Sequence, residues 1–324
     1  MGLAYVPLKM RKETNQQRHI FRRKAELIYK LYGLVEHAGI PLYLNKKGPK
    51  KYDIVQHLLV LLVRERCKLG YRESVRFLRE LGFVVPTYSA VAKRAAKIPM
   101  VVLKRLLRAT ADLIRGMIGA IDGTGLSIVK GSEYYYMRID GKKVNTFRKL
   151  SIGIDVNSKL ILSLKIRKKP RHDAVDAIAL MKEMLRYKPT HILADKGYDC
   201  RKIREFCHKH NIIAVIPMRN YGKHRVRRFY HKKAKAEFKQ WKKLYQKRNA
   251  VETAISVLKR LFSDKIKSEK YKYMKTEIFI RAIAYNLRII SYIFVHLIPH
   301  NTASIFHNLL LKLYFQRDPK NQKL

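Results

Sequence analysis

Three carboxylates stand where chemistry is possible. Within LYQKRNAVETAISVLKR, residues 244–260, Glu252 is a single acid among Lys247, Arg248, Lys259 and Arg260, with Lys243 just ahead. On a helix, Tyr245, Arg248, Glu252 and Lys259 project within an arc of roughly 60°. Leu244, Val251, Ile255, Leu258 and Phe262 form a separate apolar stripe, offset by roughly 80°, that can bury against a sheet. An i,i+4 ion pair from Arg248 to Glu252 is the simplest use of that acid, worth about 0.2–0.5 kcal/mol. Asp122 lies in the strand-like run GAIDGTGLSI, where a carboxylate is costly to desolvate unless it is paired or set on a cation. An Asp-Gly hairpin turn is the competing use of that dipeptide. Asp195 follows the short strand HILA, and strand carboxyl ends in open α/β sheets are where sites form. Its competing use is as a loop acid capping the helix that opens near Asp199.

The elements that must position these acids read as mixed α/β. MIGAIDGTGLSIV, from 117, is a near-continuous apolar run, as in a strand buried on both faces. KLSIGIDV and LILSLKIR follow, separated by NSK, and pair as a hairpin. A helix at about 173–186, the strand HILA at 191–194, a helix at about 199–209, the strand IIAVI at 212–216 and a helix from about 238 complete the order β-β-β-α-β-α-β-α. The first and fourth strands can lie side by side, which brings Asp122 to Asp195 and lets the last helix supply Glu252. Three clustered carboxylates cannot all stay ionised without a cation, and oxygen-only ligands favour Mg²⁺ or Mn²⁺ over zinc. Two such ions roughly 4 Å apart clamp the attacking and leaving oxygens of an in-line phosphoryl displacement.

Charge points to the substrate. The 324-residue chain carries 71 Lys and Arg against 24 Asp and Glu, a formal +47 spread along its whole length. Such self-repulsion calls for a polyanionic partner, and nucleic acid fits best. YRESVRFLRELGFVVPTYSAVAKRAAK reads as a helix at 72–80, a turn at Gly82, an extended FVVP and a second helix at about 88–97, capped by Thr87 or Ser89. Lys93, Arg94 and Lys97 line its exposed face, as in a helix-turn-helix entering a major groove or in a plain helical hairpin with solvated lysines. From 219 to 243, Tyr221, Phe229, Tyr230 and Trp241 alternate with cations, a composition that suits both backbone tracking with base stacking and a solvated loop.

Other residues read as structural. Cys67, Cys200 and Cys207 form no disulfide framework. Cys200 and Cys207 lack a C-x-x-C pair for zinc and fit two buried thiols on one helix face. Asp173, where the third strand feeds a helix, reads as its N-cap, with an active-site role for His172 and Asp173 as the alternative. Asp140 and Asp155 read as turn residues. The N-terminus lacks the apolar core of a signal peptide, and the longest apolar runs are too short for a membrane helix, so a soluble intracellular protein with no membrane partner is expected.

Taken in order, IDGTG, ADKGYD and the row Tyr245, Arg248, Glu252, Lys259, which fits Tyr-x2-Arg-x3-Glu-x6-Lys without a gap, carry a likeness. RKLSIGIDV, PRHDA and AIAYNLRII extend it. The chain resembles the insertion-sequence transposases of the DDE superfamily over about 115–292, and only in outline over 52–98. The resemblance implies an RNase H-like mixed sheet flanked by helices, behind an N-terminal all-α, helix-turn-helix-like DNA-binding region. It implies Asp122, Asp195 and Glu252 as catalytic ligands of two Mg²⁺ (or Mn²⁺), cleavage of double-stranded DNA at terminal inverted repeats by activated water, and attack of the freed 3′-hydroxyl on target DNA. Arg248 and Lys259 would contact phosphates and Tyr245 the terminal nucleotides, in a homodimer or larger assembly on cytoplasmic, nucleoid-associated DNA. Lys93, Arg94, Lys97 and Trp241 join the DNA-binding set on their own patterns. The segment between Asp195 and Glu252 is short beside members with a large β-rich insertion, which leaves hairpin or other end processing open. The expected organisation is a basic region 1–50, a helical DNA-binding region 51–113, a catalytic domain 114–292 with a basic connector 218–243, and a helical tail 293–324. A stand-alone nuclease or resolvase and an exapted, non-catalytic DNA-binding protein are the alternative readings, with a ribosome-associated basic protein behind them.

Overall fold

A computed structural model describes residues 27–45, 47–48, 50–112, 114, 116–128, 147–168, 171–218, 235–236 and 238–297, with side chains to 291. Asp140, Tyr221, Phe229, Tyr230 and most of the expected 1–50 and 293–324 segments lie outside the described residues.

The helical region begins with α1 (27–37), which closes at Gly39, whose φ of +62° suits a residue without Cβ. Helix α2 (Ile54–Arg66) starts at a capping box, Asp53 and Gln56 each bonding the other's backbone N–H. Then come α3 (Tyr71–Glu80), Gly82 at φ +78°, the extended residues before Thr87, α4 (Tyr88–Lys97) and α5 (Met100–Ala109). The Thr87 hydroxyl accepts from Ala90 N, as the sequence predicts. Lys93 and Lys97 face solvent and Arg94 is half-buried. Thr276 Oγ1, from the last helix, donates to Ala95 O at 2.8 Å and anchors α4.

Strands β1 (Ile118–Ile128), β2 (Phe147–Asp155) and β3 (Ile161–Arg167) form an antiparallel meander. Helix α6 (Ala174–Met184) then crosses over to β4 (His191–Ala194), which lies parallel to β1. Helix α7 (Arg201–Lys209) leads to β5 (Ile213–Val215), parallel to β4. The order across the sheet is β3-β2-β1-β4-β5, with the short β6 (Lys265–Ile266) beside the far end of β1. This is the mixed, helix-flanked, RNase H-like sheet that the motifs predict.

Alternation along β1 divides the core. Ala120 and Leu126 join one cluster that continues through α2, α5, α8 (Asn249–Phe262) and α9 (Tyr271–Leu297). Ile121 joins the opposite cluster, with Met184 and Tyr187 at the end of α6 and its following turn, and with Ile192 and Ile203. The expected single helix from 238 is broken instead. After 238–240 come a short helix Lys242–Tyr245 and a 3-10 turn Gln246–Arg248, and only then α8. Its stripe Val251, Ile255, Leu258 and Phe262 is buried as its spacing predicts.

One polar knot crosses the apolar core. Arg281 on α9, almost wholly buried, donates to Glu65 of α2 (2.8 Å), to Glu277 (2.5 Å) and to the carbonyls of Ser263 (3.0 Å) and Lys265 (2.9 Å). Glu277 in turn accepts the backbone N–H groups of Lys267 and Ser268 at 2.9 Å each. Burial pushes the Glu65 carboxyl above its usual range, a rise opposed by Arg64 and Arg281. Ser263 closes α8 at φ +77°, a conformation that disfavours any residue but glycine, so the knot also pins a strained helix end.

Candidate active site

Asp122 sits within β1, opposite Ile152 of β2, so it is a strand residue and not half of an Asp-Gly turn. The β1–β4 register pairs Ile121 with Ala194, so Asp195, one residue past β4, comes level with Asp122. Pleating puts both on the sheet face that carries Ala120 and Leu193, the face covered by α8. Glu252 is in the first turn of α8, exposed above its buried stripe. Asp195 also plays its local part: its Oδ1 accepts from Lys196 N at 2.7 Å and caps the 3-10 turn Lys196–Tyr198.

Arg248 ties two of these acids together. Its guanidinium donates to Glu252 and stands 3.6 Å from Asp122. Burial works against its charge, but the bond to Glu252, with Tyr245 and Asp122 close by, raises its pKa all the same. The Tyr245 ring lies beside it, 5.9 Å from centroid to guanidinium carbon. Lys259 is half-buried two turns further along α8, and Trp241 packs edge-on against His191 at 4.4 Å between ring centroids. Desolvation pushes the Asp122 carboxyl above the usual range; the Gly123 N–H and Arg248 oppose this, while Glu252 and Asp173 add to it.

Among the described residues, no three His, Cys, Asp or Glu side chains are close enough together to grip one ion. The donor set still fits a hard divalent cation in kind. Asp122 and Glu252 offer only oxygen, and both already share a cation, the Arg248 guanidinium. Cys207 is buried, but Cys200 precedes α7 and is only partly covered, so the two thiols do not share a helix face as expected.

Of the two uses that the sequence offers Asp173, capping is not the one the structure shows. Asp173 occupies the N-cap position of α6 but its side chain makes no capping bond there. It pairs instead with the buried Lys149 of β2 at 2.5 Å, because that cation leaves it a stronger partner than a backbone N–H. Asp155, in contrast, makes its expected turn, accepting from Ser158 N at 2.7 Å. The Lys149–Asp173 pair closes over Gly123, where an added Cβ would lie 2.6 Å from Asp173 Oδ1 and 3.4 Å from Lys149 Cε. An added methyl fits only if the Asp173 carboxylate swings aside, and that glycine after Asp122 was the available signal. Gly123→Ala should therefore displace the Asp173 carboxylate from Lys149 and destabilise the fold by no more than about 1 kcal/mol in urea titrations. Tyr198 is buried nearby, its hydroxyl without a partner among the described residues. Burial first, then the charges of Asp173, Asp122, Asp176 and Asp195, push its pKa well up.

The chain is 25% identical over 264 residues to an uncharacterised protein of Aquifex aeolicus (strain VF5), covering 76% of this chain and 81% of that one. It also resembles a chain of the simian T-cell lymphotropic virus intasome in complex with the PP2A regulatory subunit B56 gamma (16% identity, TM-score 0.24, 46% of this chain), but spans only 50% of that chain. Against the Mos1 transposase paired-end complex with the left transposon end, identity is 12% and TM-score 0.23, over 66% of this chain and 82% of that one. Residues 115–287, more than half of the chain, match the family described as "Transposase DDE domain". The stretch holds Asp122, Asp195, Glu252 and the row around Arg248, and by this match the chain belongs to that transposase family.

Proposed function

We propose that this protein is an insertion-sequence transposase that binds the ends of its element as double-stranded DNA, cuts them and joins them to a target by in-line phosphoryl transfer. One observation carries the reading: Asp122 and Glu252, from separate elements, converge on the single cation of Arg248 at the sheet face that Asp195 also adjoins. Asp122, Asp195 and Glu252 would hold two Mg²⁺ or Mn²⁺, which supply charge neutralisation and an activated oxygen nucleophile.

The chain's own residues set the order of events. Arg248 keeps Asp122 and Glu252 neutralised before substrate arrives, which lowers the cost of holding two carboxylates near each other in a partly dry site. A DNA phosphate offers that guanidinium a bidentate partner of the same geometry as a carboxylate. Transfer of Arg248 to the phosphate frees both acids as the backbone docks. Tyr245, already packed beside Arg248, then borders the terminal nucleotides, and Lys259 lies further along the same helix. Lys93 and Lys97 on α4, with Arg94 behind them, suit phosphate contacts away from the cut. Oligomeric assembly on paired ends belongs to the same proposal. Among the described residues, no helix is long and apolar enough to cross a membrane.

The test is strand transfer from a labelled duplex carrying the element's own end into a plasmid, with Mg²⁺ or Mn²⁺, for wild type beside Glu252→Gln. Joined product from wild type alone is expected. Cutting without joining would favour a nuclease or resolvase, and equal activity of the two proteins would remove Glu252 from the site.

A further inference from the structure

A cleft of about 330 Å³ opens at the edge strand β3, lined by Lys165, Ile166, Arg167, Lys168, Arg171 and Tyr271. Lys275 stands 5.1 Å over the Tyr271 ring. Asp176, on α6 behind the cleft, is fully buried and already held by Arg167 (2.6 Å), Lys165 (3.2 Å) and Ser151 (3.3 Å). The carbonyls around the cleft are capped as well. Tyr271 donates to Ile166 O at 2.7 Å, Arg148 to Lys168 O at 3.0 Å, and Lys149 to Arg171 O. With these carbonyls occupied from within, the polar groups left to the cleft are the Lys168 and Arg171 cations, set among aliphatic stems, Ile166 and the Tyr271 ring. Lys168 and Arg171 are exposed, and neither is ion-paired with an acid among the described residues. Charge, concavity and satisfied acceptors together specify an anion.

Its place in the sheet says which anion. The acids belong to β1 and β4, in the middle of the order β3-β2-β1-β4-β5. Trp241 packs against the start of β4, so the segment bearing Trp241 and Tyr245 flanks the acids on one side. The cleft flanks them on the other. It adjoins the Lys149–Asp173 pair, because Arg171 is two residues from Asp173 and its carbonyl receives the same lysine. Two strand spacings, roughly 10 Å, separate β3 from β1, the span of about three nucleotides of one strand.

Building on the transposase reading, we infer that the β3 cleft binds the phosphodiester backbone of DNA lying across the scissile phosphate from the transposon end: the flank before cleavage and the target at joining. Guarding an exposed sheet edge is the rival role for such charges.

The test has two arms. In the first, affinity for a short random-sequence duplex is followed against KCl by fluorescence anisotropy. Lys168→Ala/Arg171→Ala is compared with Lys202→Ala/Lys209→Ala, exposed residues of α7 that remove the same charge. The cleft pair should flatten the log–log slope by about 2, as expected for two lost phosphate contacts, and the α7 pair by less than half of that. Equal slopes for the two pairs would overturn the cleft. In the second arm, the cleft variant should bind an end duplex without flank as wild type does, yet lose about tenfold affinity for the flanked duplex and join target correspondingly less. Equal loss on both duplexes would overturn the assignment to flank and target. If wild type itself never joins DNA, the transposase reading falls, while the first arm still decides the cleft.

Discussion

Asp122→Asn is expected to abolish joining and at the same time to make the protein more stable. On the proposed function, strand transfer should fall on the order of 10³-fold or more, because an amide keeps the shape of the carboxylate but loses the charge with which it would bind a divalent cation. The stability gain follows from the strand that holds this acid. Desolvation raises the Asp122 pKa in the folded state above its ordinary value. A carboxyl so shifted contributes stability that is fully present below its unfolded pKa and is lost as pH rises through the folded one. At neutral pH the ionised group is therefore a liability to the fold, and Asn removes it, leaving Arg248 to Glu252. The thermal midpoint of the variant should lie roughly 1–3 °C above wild type at neutral pH, and the two curves should converge in acid. Fluorimetry across pH beside the joining assay checks both halves. A variant both inactive and less stable would mean that Asp122 serves as a structural partner of Arg248.

The second large effect is far from the acids. Arg281→Met removes the only side-chain cation bonded to both Glu65 and Glu277 among the described residues. It leaves two nearly dry carboxylates and two backbone carbonyls short of a donor. Breaking such a knot from one side costs about 3–5 kcal/mol, far more than a surface ion pair. The loss should show in urea unfolding as a lower midpoint. Part of it should return as the solution is made mildly acidic, because Glu65, already raised by burial, then protonates in the folded state. Replacing Glu277 alone with Gln in the same background should recover more, since Glu65 keeps the buried Arg64 guanidinium as a partner while Glu277 loses its cation. No recovery in either case would mean that packing, and not charge, sets the cost.

The sequence made much of this legible because its strongest patterns were local. β1, the β2–β3 hairpin, β4 and the α3–α4 pair fall within a residue or two of their expected places, since burial on one or both faces fixes their periodicity. The break at Gln246–Arg248 was invisible, because the row Tyr245, Arg248, Glu252 and Lys259 keeps helical spacing straight through it. Asp173 was misread because a cap is the common use of Asp before a helix. The partner that overrides that use, Lys149, is 24 positions earlier in sequence and meets it only across the sheet. The Arg281 knot was hidden for the same reason, its members being scattered from Glu65 to Arg281.

That knot bears on how the chain is made. Arg281 is 216 residues beyond Glu65, and α9 packs on α2, α4 and α5 as well as on β3. A ribosome releases α2–α5 first, but their common packing surface emerges last. These helices must wait through synthesis of the entire sheet with apolar faces uncovered, and contacts of such long range form slowly. Stalling translation before α9 should leave them open to protease, and they should become resistant only once α9 clears the exit tunnel.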